Sequence, residues 1–542
     1  MDSQDDVGEP ISAEPRSEAG ADASLRLAEG NPEARWKWAS KLVLKLRWQA
    51  YWFAPNLLAG LDGDDKASKA ARDEERNRES RVPQDQALES RMAWGVELYG
   101  PGEIDTLYES LDSLGWSGIG GSSAEGDAAS SVRRMRSKGG GAWLNLGYVF
   151  RRGSRKRSFL SKNFTHLPDD VESLKVNVFQ ITDSMTAVLI GFSLSGSLVE
   201  AYARELNRDR STYYQRKTKP KSIEWVGPLN QKEAAIARRR THLRSMVGQW
   251  FADHLPGFFS GLQQPSSFPT MELVAANSSA FVALGQSMPH FENWRRLLIN
   301  VRRDEVLTEE ERPALKLAFF DSREMDQGLH IFASVDTTLY DNAPLDGAEA
   351  PSRRKPTMHC HDVAGGVLVH SATLQYLKEH MKDIHRTRER MKEARSGRRS
   401  TSRTISEITQ FFDRNIGLPA VTRDLARHSK HVHWYRHDCG RFSAKSWQGD
   451  KTYFFFESIQ KRLQSLSAQL TDEEAAIRSH FEQLTSILSV RESIKAQRRM
   501  EVLTVSALVV AVGSLVVALP KWDSIAKTLQ DAWQALMALA SH

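Results

Sequence analysis

A chain of 542 residues is too long for one ordinary domain and predicts two or three folded units with linkers. Its apolar share of 40% supplies real cores, and its charged share of 26% and net charge of +6 exclude neither a globular nor a lipid-facing protein. Two cysteines, Cys360 and Cys439, argue against a disulfide-built extracellular scaffold, and the acidic start (Asp2, Asp5, Asp6, Glu9) is no secretory signal.

Residues 1–34 hold nine acids against two arginines, with Pro, Gly, Ala and Ser between them, a composition that buries no core and predicts a disordered acidic tail. The character then reverses. Residues 35–61 carry five bases, no acids, and Trp36, Trp38, Trp48, Tyr51, Trp52 and Phe53. On a helix Lys37, Lys41 and Lys45 follow one side while Trp38, Leu42 and Leu46 follow another, the pattern of an amphipathic helix in a headgroup layer. The alternative is a helix docked on the protein's own core. Residues 62–90 read as a charged, solvated linker, helical in part.

A folded domain is expected over 92–370. AWGVELYG predicts a strand, GEIDTLYESLDSLGW a helix through Ile104, Leu107, Leu111 and Leu114, and AWLNLGYVF, VESLKVNVFQIT and MTAVLIGFSLS further strands. LVEAYARELNRD returns to helical spacing. An arginine-rich helix follows near 230–254, with Arg238, Arg239, Arg240 and Arg244. MELVAANSS, LKLAFFDS and LHIFASV are strand candidates, and 340–357 reads as a loop. Residues 371–449 form a helical, basic connector. Its tract 381–404 has nine Lys/Arg against three acids, a surface suited to anionic lipid or simply a solvated helix running into a Ser/Arg loop.

Residues 450–500 predict a helical stalk. Ile459, Leu463, Leu466, Leu470, Ile477, Leu484, Ile487 and Ile494 keep three- and four-residue steps, broken by Glu473 and His480. Thr471-x-x-Glu474 is a capping box at which a second helix would start. The seam suits a coiled coil or packing against the chain's own domain. Next, 502–519 (VLTVSALVVAVGSLVVAL) is uncharged and would run about 27 Å as a helix, the expected single transmembrane span. Arg491, Lys495, Arg498 and Arg499 before it outweigh Lys521 and Lys527 after it, which are offset by Asp523 and Asp531. That bias places the N-terminal bulk in the cytoplasm and the tail 520–542, a short amphipathic helix, outside. Ala507 and Ala511, with Ser514 and Ala518, are small residues at four-residue spacing, which favours self-association.

The run QRRMEVLT (497–504), leading from a long helix into a span, resembles the stalk-to-first-span junction of CorA-like magnesium channels. The resemblance covers about the last 90 residues and implies a shared stalk-and-span architecture. The family closes its first span with Gly-Met-Asn and adds a second span. Here the apolar run ends Ala518-Leu519-Pro520-Lys521, with neither feature after it.

Two segments gather potential ligands: His359-Cys360-His361-Asp362 with His370, and His428, His431, His433, His437, Asp438 and Cys439. Zinc needs about four converging N or S ligands; on a strand His359 and His361 share a face, and on a helix His433 and His437 do. Neither segment has paired metal-site spacing, and the alternative is unrelated histidines beside two ordinary thiols. Cys360 between two histidines is a weak nucleophile motif. GFSLSG (191–196) lacks the spacing of a nucleophile elbow, and the glycine runs at 115–123 and 138–143 lack the Gly-Lys-Ser/Thr of a phosphate loop. No catalytic, cofactor-binding or metal residue is assigned.

The expected fold class is α+β: a cytosolic, mostly antiparallel sheet with packed helices, a long helical stalk and one C-terminal transmembrane helix. The expected function is a membrane-anchored, self-associating sensor, scaffold or effector at the cell's inner membrane. Its expected partners are the lipid bilayer, contacted also through 35–61 and 381–404, and further copies of the chain, with nucleic acid disfavoured. A degenerate divalent-cation transporter and a membrane-tethered metal-dependent enzyme are the alternatives. The Arg, Ala and Trp usage is compatible with a bacterial source.

Overall fold

Strand-forming runs that are apolar without alternation can be buried only between two layers. Met185–Leu194 (β5) and the second half of Leu88–Tyr99 (β1) are such runs, and their residues are almost all buried. The computed structural model describes residues 63–117, 127–139, 141–153, 163–218, 221–262, 267–281, 293–299, 306–320, 328–342, 355–395, 401–445, 451–518 and 522–539, with isolated positions at 264 and between 40 and 53. The expected tail 1–34 lies outside them, as does most of 35–61.

In chain order the elements are α1 (Gly63–Glu79), β1, α2 (Ile104–Leu114), α3 (Ala128–Lys138), β2 (Ala142–Arg151), β3 (Asn163–Thr165), β4 (Val171–Thr182), β5, α4 (Ala201–Asn207), β6 (Tyr213–Thr218), β7 (Lys221–Val226), α5 (Pro228–His254), α6 (Phe258–Gly261), β8 (Thr270–Ala276), α7 (Asn293–Leu298), β9 (Val306–Glu309), β10 (Leu315–Phe319), β11 (His330–Asp336) and α8 (Thr337–Asn342). Then follow α9 (Lys355–Arg395), α10 (Thr401–Arg414), α11 (Leu418–His428), α12 (Val432–Cys439), β12 (Phe442–Lys445), β13 (Thr452–Phe454), α13 (Phe455–Ala518) and α14 (Trp522–Leu539).

Among the described residues, eleven strands make one sheet in the order β13-β12-β9-β10-β11-β8-β1-β5-β4-β2-β3, and β6 and β7 form a separate hairpin. The sheet is mixed, but eight of its ten strand pairs are antiparallel, in keeping with the expected mostly antiparallel sheet. β11 runs parallel to β8 near its centre, and β3 parallel to β2 at its edge. The long crossover from β8 through α7, β9 and β10 brings β11 back in the same direction, a connection that a hairpin cannot make.

Register decides which helix covers which face. Trp94 on β1, Leu189 on β5 and Asn177 on β4 share one face, because Val96 pairs with Leu189 and Leu189 with Asn177. Phe192 points to the other, where its ring meets Trp250 and Phe251 of α5 at 5.6 and 6.4 Å. α9 lies on the first face. Its Gly365-Gly366 pair makes the approach possible: a Cβ on Gly365 would stand 2.7 Å from Leu189 Cδ2, and one on Gly366 2.4 Å from the Asp438 carbonyl oxygen of α12. Two glycines inside a helix each cost about 1 kcal/mol against alanine, so close packing must repay them.

α13 is one helix of 64 residues, about 96 Å long. The expected restart at Thr471 does not occur; the Thr471 hydroxyl donates to the Ser467 carbonyl at 2.9 Å, as a mid-helix threonine does. Its proximal seam (Phe456, Ile459, Leu463, Leu470, Ile477) is buried on α9, α11 and α12, so that half of the stalk docks on its own domain. Each of those side chains contributes about 2 kcal/mol of burial. Arg388 of α9 pairs with Glu473, and Gln460 Nε2 donates to the Ser429 carbonyl at 2.7 Å.

Among the described residues no helix is long and apolar enough to cross a membrane. This overturns the expected transmembrane helix at 502–519. The described apolar residues 502–518 are the tail of α13, continuous with its docked first half.

Gly366→Ala tests the helix seating. Helix propensity alone would stabilise the variant by about 1 kcal/mol. Overlap with α12 reverses the sign, and chemical denaturation should show a loss of about 1–3 kcal/mol.

Candidate functional site

The sequence places its chemistry in two histidine segments, and the structure assigns most of these residues to packing partners. The first segment lies on α9, not in a loop or strand, so His359, Cys360 and His361 fan around a helix. His359 Nε2 meets the buried carboxylate of Glu309 at 2.7 Å. Cys360 is fully buried, and burial pushes its thiol far up; a thiol so far from its thiolate is no nucleophile. Asp362 pairs with Lys175 at 2.8 Å from a largely exposed position.

His361 points into the sheet. The Trp94 indole N–H donates to its Nδ1 at 2.9 Å, and Asn177 lies 2.9 Å from its Nε2. Because Nδ1 accepts, the ring's own proton sits on Nε2, and the Asn177 amide oxygen must turn toward it. That orientation also satisfies an oxygen that otherwise has no hydrogen-bond partner. Burial first, and then the Lys175 charge, hold His361 well below the usual histidine range.

The second segment is the turn between α11 and α12. Asp438 accepts from His370 of α9 at 2.9 Å and from His437 at 2.9 Å. Tyr435 stands between His370 and His428, with ring centroids 4.8 and 5.4 Å away. Burial, then the neighbouring His370, press His428 down to about 4. Cys439 is buried and its thiol raised by burial. His370 and Asp438 thus join the two segments, but His359, Cys360, His361, His433, His437 and Cys439 do not converge. Among the described residues no group of three or more His, Cys, Asp and Glu side chains is placed to hold a metal ion.

A third polar cluster escaped the sequence reading. Glu272, fully buried in β8, accepts from Arg240 Nε at 2.8 Å and from the Tyr202 hydroxyl at 2.5 Å, with His330 Nε2 at 3.3 Å. Thr270 Oγ1 meets His330 Nδ1 at 2.9 Å, and the Arg240 guanidinium lies 4.0 Å over Phe320. Burial pushes Glu272 up, yet the Arg240 charge and the His330 contact outweigh it and leave the carboxyl at about 2. Burial lowers His330 to about 4. Glu97 of β1 accepts from three backbone N–H groups, Phe259 (2.7 Å), Ser260 (2.9 Å) and Leu98 (3.0 Å), and burial raises it to about 7. The arginine run at 238–244 was the visible signal. Its partner was hidden in the apolar strand MELVAANSS.

The solvent-facing feature is the distal half of α13. Val502, Leu503, Val505, Leu508, Val509, Val510, Val512 and Leu515 are each more than half exposed. Exposed Lys495, Arg498 and Arg499 form a basic collar just before them. α14 adds an amphipathic helix whose exposed Ile525, Leu529, Trp533, Leu536 and Met537 follow one face, opposite Asp523, Lys527 and Asp531. By contrast, Lys382, Arg386, Arg388 and Arg390 of the basic 381–404 tract are paired with Glu379, Asp383, Glu473 and Glu407.

No protein-family model matches this chain, and neither a curated protein nor a solved structure does. The resemblance to CorA-like channels therefore stands on residues 497–504 alone.

The buried histidines make stability depend on pH. His330 and His380 are both held near 4 by burial, against 6.5 for the free side chain. The unfolded chain binds a proton at each that the folded chain refuses, so stability falls as pH drops from about 6.5 to about 4 and then levels off at these groups. Each contributes about 3 kcal/mol across that window. Glu97, raised to about 7, binds its proton in the folded chain first and so offsets part of this loss. Urea titrations between pH 7 and pH 4 should show the net decline, which His380→Leu should lessen by about one proton's worth.

Proposed function

We propose that this protein is a lipid-tethered module: an α+β body held at an anionic bilayer surface by the distal arm of α13 and by α14. The observation that carries the reading is a helical stretch, Val502 to Leu515, apolar on most of its circumference and with its large side chains exposed to solvent. A helix with so wide an apolar surface is stable in a protein core or in lipid. The order of features favours lipid. The basic collar Lys495, Arg498 and Arg499 suits phosphate headgroups, 502–515 suits acyl chains, and α14 places Trp533 and aliphatic residues on one face, as an interfacial helix does. The net charge of +6 over the whole chain adds to the attraction. In this reading the apolar segment tilts into one leaflet and α14 lies along its boundary. The chemistry-bearing residues serve the fold, which favours a tether or scaffold over an enzyme.

Co-sedimentation of the full chain with zwitterionic and anionic vesicles tests this. The wild type should pellet with both and more with the anionic ones. Leu508→Asp with Val512→Asp should lower partitioning roughly a hundredfold or more, since each buried acid costs about 3 kcal/mol. Replacing Lys495, Arg498 and Arg499 by Gln should remove only the anionic preference, at about 1 kcal/mol per base. Equal pelleting of all three proteins, or none with any vesicle, would reject the reading.

A further inference from the structure

The α11–α12 turn holds an unusual charge arrangement for its position. His428, His431, His433 and His437 lie within ten residues, and His370 approaches them from α9. One carboxylate, Asp438, serves the group, and it is already engaged by His370 and His437. His370 Nδ1 is buried without a hydrogen-bond partner. The His433 ring lies 5.7 Å from His431 and 4.9 Å from Trp434. This same turn grips the arm: the Ser429 carbonyl receives Gln460 Nε2 at 2.7 Å, and the Arg436 guanidinium lies 5.3 Å over Phe456.

We infer that the histidine turn is a proton-operated latch, closed on the proximal part of α13 while the half-buried His428 is neutral and opened when that ring is charged.

The groups facing the latch can be named element by element. α9 brings His370; α11 brings His428; the turn brings His431; α12 brings His433, Tyr435, His437, Asp438 and Cys439. α13 meets the turn through the uncharged Phe456 and Gln460, and the start of β2 brings Gly141 against Trp434. Each further proton therefore adds positive charge near a single carboxylate, beside Arg427, Lys430 and Arg436 on the same segment. His431, His433 and His437 are exposed already, so it is the desolvation of a charged His428, with the cations around it, that favours the conformation in which this ring reaches water. The closed form resists protonating His428 until about pH 4, whereas an exposed histidine takes its proton near 6.5. Opening is then linked to proton uptake, and each pH unit between those limits favours the open form about tenfold per such histidine. The cluster's hydrogen bonds join α9 to α12 and the turn to α13, and among the described residues none goes to a sheet strand, so the arm should loosen before the body does.

Hydrogen-exchange mass spectrometry on the full chain at pH 7.5 and 5.5, corrected for intrinsic rates, reads the latch directly. Peptides from 455–477 should lose protection about tenfold or more at pH 5.5 while peptides from β4 and β5 keep theirs. His428→Gln with His370→Gln should hold the arm closed at pH 5.5. Asp438→Asn, which removes the carboxylate that His370 and His437 engage, should open it already near pH 7.5. Unchanged protection of 455–477 in the wild type overturns the latch, as does a loss shared equally with β4 and β5. So does a wild-type pH response in a folded His428→Gln protein. The wild-type measurement decides even if a variant fails to fold.

Discussion

One buried polar contact seats the helix from which most of the C-terminal half hangs. His361 of α9 takes the Trp94 indole proton on one nitrogen and faces Asn177 with the other, so three side chains from a helix and two strands satisfy one another out of reach of water. A buried polar group left unpaired costs about 1–3 kcal/mol, so α9 cannot slide or rotate on the sheet without breaking the set. Gly365 and Gly366 complete the constraint by letting the helix backbone approach Leu189 and α12. Apolar packing supplies the bulk of the attraction. The hydrogen bonds choose one register among many greasy alternatives.

From that seat the remaining architecture follows. α9 positions His370, which meets Asp438 and so orients α12. α12 and α11 then frame the groove that receives Phe456, Ile459 and Leu463 of α13. The long helix leaves the body past Ile477 with its apolar side chains uncovered. The result separates two kinds of surface. Buried charges such as Glu272 and Arg240 are consumed inside the fold, where removing one partner would strand the other. What faces outward along the distal α13 and α14 is basic, then apolar, then amphipathic, and the proposed lipid tether rests on that order.

Much of the α+β core was legible in the sequence because burial there imposes a period. AWGVELYG, VESLKVNVFQIT and MTAVLIGFSLS announced β1, β4 and β5, and Ile104, Leu107 and Leu111 announced α2. Strand direction was not legible, because parallel pairing of β8 and β11 depends on a crossover and not on either strand's residues. The histidine segments were visible as clusters but their partners were not. Trp94 and Asn177 lie 267 and 184 positions from His361, and no local spacing reports such contacts. The apolar run at 502–519 was the strongest sequence signal and was read as a crossing. In the fold its described residues, 502–518, continue a helix that is already docked over its first half, and no described helix is long and apolar enough to cross a membrane.

The seating of α9 is tested most directly by the protonation state of His361. Nitrogen-15 NMR of histidine-labelled protein, with His361 assigned by substitution, distinguishes the two neutral tautomers from the imidazolium. A neutral ring with its proton on Nε2, unchanged between pH 8 and pH 5, is the result the contact with Trp94 and Asn177 requires. A ring that titrates near 6.5, or one that carries its proton on Nδ1, would show that the indole does not donate to it and that α9 is held on the sheet by something else.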